Sequence, residues 1–210
     1  IMGPVSIVIG LCSIIFALLI HEYAHAFMSY QLGDPTAKYE GRLSFNPVVH
    51  FEPVGAICLV VSYVTSGGMA IMGWAKAVPI DAGNFKNRSL DTALVAAAGP
   101  FVNFFVAALC SILVVTGLAV PGNPLFLVVR SLLVANVGFG IFNLIPWPPL
   151  DGWKILGAFG GETLSRKMEM LEQKLGMFSL VGLLIIVAFF GPLFLYPANR
   201  WVLSIFLGGY

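Results

Sequence analysis

Four stretches of this chain, residues 5–30, 92–118, 125–145 and 177–195, are long and almost uniformly apolar. A helix needs about 20 mainly apolar residues, rising 1.5 Å each, to cross the hydrocarbon core of a bilayer, and each stretch meets or nearly meets that length. Composition agrees. Of 210 residues, 59% are hydrophobic and 10% are charged, against about 25% charged in an ordinary soluble domain. The expected fold is an all-α polytopic membrane protein of about four to six transmembrane helices. It forms a single membrane-embedded domain, 1–210, in the cell membrane. The net charge of +1 lacks the basic excess that holds nucleic acid, so no nucleic-acid partner is expected. Cys12, Cys58 and Cys110 each stand alone, without the paired spacing of a thiolate metal site or a disulfide framework. The first Lys or Arg is Lys38, so no cleavable signal peptide is expected.

Charge sets the threading. Lys38, Arg42, Lys76, Lys86 and Arg88 fall in the loop before the second stretch. Lys154, Arg166, Lys167 and Lys174 fall in the loop before the fourth, and the link 119–124 has no charge. The positive-inside rule then puts both basic loops in the cytoplasm. This works if the apolar stretch 54–72 dips in and returns as a re-entrant segment, which is allowed where protein covers the backbone; a full extra crossing is the alternative. Residues 74–80 (WAKAVPI) read equally as a β-type edge segment near the cytoplasmic face or as an interfacial loop. Residues 164–175 read as an amphipathic helix leading into the last span.

The chemistry centres on His21-Glu22-Tyr23-Ala24-His25. Residues i and i+4 share a helix face, so both imidazoles can reach one metal, and Glu22 stands beside the first of them. The cluster lies near the end of an otherwise uncharged span, and ionisable groups there are costly and usually functional. A catalytic zinc commonly has three protein ligands. Asp151, after the proline-rich run Pro146-Trp147-Pro148-Pro149-Leu150, is the candidate third; on the residues alone, a helix N-cap is an equal reading of it. His50 reads as a structural loop histidine. Asn103 could bond either to the site or to a neighbouring helix. Asp34 before Pro35 reads as a turn residue.

HEYAH in a span, followed by Asn143-Leu144-Ile145-Pro146-Trp147-Pro148-Pro149-Leu150-Asp151-Gly152, resembles the site-2 protease family of intramembrane zinc metalloproteases. Between the two motifs lie further matches: LGDPTA at 32–37, GRLSFNP at 41–47, GWAK at 73–76 and GPFVN at 99–103. The likeness spans about residues 10 to 160 and is nearest the minimal form without PDZ or CBS domains. It implies His21, His25 and Asp151 as ligands of one zinc per chain, Glu22 as the catalytic carboxylate, and Asn143 as a group at the oxyanion or the substrate. It also implies membrane protein or peptide substrates drawn from the lipid bilayer and an active site toward the cytoplasmic side. A non-catalytic zinc-containing protein that binds transmembrane helices is the alternative.

Overall fold

The computed structural model describes residues 3–65 and 73–207. Helix α1, Pro4–Gln31, begins with proline at a position whose N–H has no helical partner in any case. It runs through 28 residues without a break and stops where Gly33 takes φ 106°. A short helix α2, Thr36–Tyr39, a 3-10 turn, Pro47–His50, and helix α3, Pro53–Thr65, follow. Helix α4, Arg88–Val115, starts at Asn87, whose side chain accepts from the Leu90 N–H, while Asp91 accepts from the Asn87 N–H in return. This pair of bonds satisfies two donors that a helix start leaves orphaned. Asn123 caps α5, Pro124–Asn143, in the same way. Then come α6, Asp151–Phe159, α7, Gly161–Leu175, and α8, Met177–Phe190. A π-helical turn, Gly191–Leu195, leads into α9, Tyr196–Phe206.

Helices α1, α4 and α5 pack on one another as the centre of the molecule. All three are long and apolar enough to cross a membrane. Toward one end of α4 and α5, Ala107, Cys110 and Val114 meet Val129, Leu133 and Val137, and Val202, Leu203 and Phe206 of α9 close over them. The expected fourth span, 177–195, falls on α8 and the π-helical turn that follows it. Helix α8 meets α7 at a 93° bend, and counting that broken pair as one span gives four in all. The described residues therefore support three spans, or four with the bent pair, at or just below the lower end of the expected range. Arg88 binds Glu169 at 2.7 Å and Ser89 binds Ser165 at 2.8 Å, fastening α7 to the start of α4.

Two expectations concern the region between α1 and α4. The described part of helix α3 covers 13 residues, Pro53–Thr65. By Gly73 the chain is back beside its beginning: a Cβ built on Gly55 would lie 2.2 Å from the Trp74 carbonyl oxygen, and one on Gly73 would lie 2.4 Å from Leu59 Cβ. The two ends of the apolar stretch therefore lie together, as a segment that dips in and returns requires; residues 66–72 lie outside the described residues. The β-type reading of 74–80 is corrected. No strand is present among the described residues. Residues 73–80 run without turn or bend, and one backbone bond, from the Lys76 N–H to the His50 carbonyl at 3.0 Å, ties them to the loop before α3. A strand needs a ladder, and among the described residues no neighbouring strand offers one.

Both ends of this segment are anchored by buried charge. The Arg42 side chain, 3% exposed, donates from Nη1 to the carbonyls of Val49 at 2.6 Å and Lys76 at 3.3 Å. Asp34, fully buried, does far more than make a turn. Its carboxylate accepts from Ser29 Oγ, Thr36 N, Thr36 Oγ1, Asp81 N and Asn84 Nδ2. It thereby ties the end of α1 to the loop that leads into α4. Burial alone would push this carboxyl up, but the bonds from Thr36, Asn84 and Asp81 outweigh it and hold the group below its ordinary value.

Candidate metal centre

One turn of α1 sets the site. His21 and His25 lie on the face turned toward α4 and α5 and are 2% and 7% exposed. Their rings meet edge to face with centroids 4.5 Å apart, and Phe139 of α5 packs against His21 at 4.9 Å. Asp151 reaches them from the first residue of α6. The helix cap is Leu150, which makes no side-chain cap bond, so the Asp151 carboxylate is not occupied in capping its own helix. Its Oδ2 lies 3.1 Å from His21 Nε2 and 3.4 Å from His25 Nε2. The turn carrying it is held against the end of α5 by Gly152, where a Cβ would lie 2.2 Å from the Leu144 carbonyl oxygen. No side chain larger than hydrogen fits there.

Could these three residues hold a metal? His25 Nδ1 lies 2.7 Å from the Val95 carbonyl. A carbonyl only accepts, so Nδ1 carries the hydrogen and Nε2 presents a lone pair to the site. Asp151 Oδ2 is buried and receives no hydrogen bond. Two buried lone pairs facing each other at 3.4 Å repel unless a cation lies between them. Ligand atoms bonded to zinc at about 2.0–2.1 Å in tetrahedral array stand about 3.4 Å apart, which matches the observed separations. Two imidazoles and a carboxylate also form a common donor set for a zinc that keeps an open position. Among the described residues, His21, His25 and Asp151 are the group whose ligand atoms converge in this way.

The other candidates are placed as follows. Glu22, one residue from His21, is half-buried on α1. Asn143, 9% exposed at the end of α5, donates from Nδ2 to the Phe139 carbonyl at 3.0 Å, which leaves its second N–H unused by that bond. Asn103, fully buried, bonds both to the site and to a neighbouring helix: Oδ1 lies 2.7 Å from His21 Nδ1, and Nδ2 lies 2.9 Å from Asn136 Oδ1. His50 is a loop group, with Nε2 against the Ser44 carbonyl at 3.0 Å. Sequence reasoning missed Gly99. A Cβ there would lie 2.5 Å from His21 Cε1, so the imidazole occupies space that only glycine leaves open. The signal was present in the GPFVN motif, but local pattern does not say which side chain a glycine must admit.

Comparison with known proteins places the chain. It is 34% identical over 167 residues to YwhC of Bacillus subtilis (strain 168), a candidate zinc metalloprotease by its name, covering 76% of this chain and 73% of that one. It is 30% identical over 198 residues to Rip2 of Mycobacterium tuberculosis (strain ATCC 25618 / H37Rv), similarly named, covering 90% of this chain and 68% of the relative. The chain belongs to the site-2 protease family. Rip2 of Mycolicibacterium smegmatis (strain ATCC 700084 / mc(2)155) is also similar, at 28% identity over 193 residues, 89% of this chain and 67% of the relative. No family profile matches the chain, and no solved structure matches it. As a site-2 protease relative with three apolar helices of spanning length, the protein is a membrane zinc metalloprotease.

Proposed function

We propose that this protein hydrolyses peptide bonds in or near the transmembrane segments of membrane-anchored proteins, with one zinc per chain held by His21, His25 and Asp151. The observation that carries the reading is the burial of this three-ligand cluster against a membrane-length helix, with the half-buried Glu22 beside it. Bound zinc supplies Lewis-acid chemistry, lowering the pKa of a water and stabilising negative charge on the attacked carbonyl oxygen. Glu22 accepts a proton as the water oxygen bonds to the carbonyl carbon, and returns it to the departing amine nitrogen as the C–N bond breaks. Asn143 offers its free N–H to the substrate or to the developing oxyanion. His25, through Val95, and Asp151, through the turn closed by Gly152, keep their lone pairs aimed at one point.

A transmembrane helix hides its carbonyls in its own hydrogen bonds, so a substrate must unwind to be cut. Residues 74–80 would receive it. They run without turn or bend, and their ends are anchored by Arg42 and Asp34. An extended peptide adds to such an edge through main-chain bonds. The basic residues of the loops support a cytoplasmic position for this face and for the active site.

The test is cleavage of a labelled single-span protein by purified enzyme in detergent, with Glu22→Gln and a chelated sample alongside. Zinc-dependent cleavage lost in Glu22→Gln supports the reading. Equal product in both, with zinc bound, overturns the assignment of Glu22.

A further inference from the structure

The orientation of His21 depends on groups that never touch a metal. His21 Nδ1 faces the side-chain amide of Asn103, and an amide can present either oxygen or nitrogen. Two backbone carbonyls decide which. Asn103 Nδ2 lies 3.0 Å from the Ala17 carbonyl of α1, where only a donor can sit. The same nitrogen gives its second hydrogen to Asn136 Oδ1 at 2.9 Å. Asn136 is fixed in turn, because its Nδ2 donates to the Leu132 carbonyl at 2.9 Å. Both amides are fully buried. Reversing Asn103 would set oxygen against oxygen twice, at Ala17 and at Asn136, and reversing Asn136 would set oxygen against the Leu132 carbonyl and amide nitrogen against amide nitrogen, leaving buried groups unsatisfied.

We infer that Asn136 of α5 and Asn103 of α4 form a one-way hydrogen-bond relay that fixes the hydrogen on His21 Nδ1, making them positioning residues for the metal ligand. Every bond runs in one direction: Asn136 donates to Leu132, Asn103 donates to Asn136 and Ala17, and His21 donates to Asn103. The Nε2 lone pair of His21 is thereby turned toward Asp151 and His25. His25 receives the same service from the single Val95 carbonyl. His21 draws it through two side chains, and the relay links all three central helices to the geometry of one ligand. Groups in this position commonly change metal affinity 10–100-fold when removed. The inference rests on the metal reading of the triad, but its test is separate from proteolysis.

The chain has three histidines, which makes the test direct. Full-length protein labelled with 15N-histidine, metal-free in detergent at pH 9, is examined by long-range 1H–15N correlation. His21 and His25 should show a protonated Nδ1, whatever their Nε2 atoms carry beside Asp151. His50, which donates from Nε2 to Ser44, should show the opposite tautomer and serves as internal reference; His50→Gln assigns it. Asn136→Leu should give mixed tautomers at His21 alone, leave His25 unchanged, and weaken zinc about tenfold in a chelator competition. A His21 Nδ1 without a hydrogen in the wild type overturns the relay, and that measurement needs no variant to fold. So does an Asn136→Leu protein with the His21 signals and zinc affinity of the wild type. A relay found intact in a protein that cleaves nothing would count against the protease reading and leave this one standing.

Discussion

Gly99 of α4 lies against the His21 imidazole so closely that a Cβ at position 99 would approach its Cε1, Nδ1 and Nε2 to 2.5, 2.7 and 2.7 Å. Real Cβ contacts are never this short, so a side chain there must displace the ring. The ring is gripped on its other sides by Phe139 and Asn103 and has little room to yield. Gly99→Ala should therefore move His21 out of line, weaken zinc by at least tenfold and reduce peptide cleavage about 100-fold, the usual penalty for a displacement near 1 Å. Zinc competition and single-turnover cleavage check this together. Unchanged zinc affinity would show that α4 can shift away from α1.

Glu22→Gln keeps the shape of the side chain and removes its basicity. Glu22 is not among the converging ligands, so zinc content should be unchanged by metal analysis. Cleavage should fall by about 10²–10⁴, the range for loss of a general acid–base group.

Asp34 gives a pH-dependent prediction. Its pKa is lowered in the folded protein, so the stability it contributes is complete above its ordinary value near 3.8 and is lost as pH falls through the lower folded value. Asp34→Ala should destabilise by about 3 kcal/mol at pH 7, because it removes a charged acceptor from five donors. The gap between wild type and variant in detergent thermal unfolding should be constant from pH 7 down to about 5 and narrow only in acid. A gap that already narrows near pH 6 would mean that the carboxylate is not held as the hydrogen bonds require.

The parts of the site that were legible in the sequence are those whose chemistry is out of place in their surroundings. His21 and His25 at i, i+4 in an uncharged span, and Asp151 beyond a run of prolines, stand out because charge and imidazole are costly in apolar helices. The three long helices were legible for the same reason, as hydropathy alone delimits them. What escaped was pairwise. The Val95 carbonyl is a backbone group and has no sequence signature. Asn103 lies 82 residues from His21, and whether its amide faced the site or α5 could not be read from a helix pattern; it faces both. Residues 74–80 carry β-type side chains, yet strand formation depends on a partner, and the described residues place none beside them. Asp34 was read as a turn former, since a local motif gives no hint that Asp81 and Asn84 return to it.

The segment 73–80 supplies the last prediction. Lys76 turns its N–H inward to His50, and backbone groups alternate in direction along an extended chain, so the N–H of Ala77, an exposed residue, points outward. If an unwound substrate pairs with this edge, it accepts from that N–H. Ala77→Pro deletes the donor, and its steric demand on Lys76 favours the extended conformation already required there. The variant should fold, bind zinc normally and show a several-fold higher KM, since one main-chain bond is worth about 0.5–1.5 kcal/mol, with kcat changed far less. Ala77→Gly, which keeps the N–H, should behave like the wild type in KM. If Ala77→Pro has the wild-type KM for a membrane-anchored substrate, the edge at 74–80 does not receive the peptide, and the unwound segment must enter the site from another side of α1.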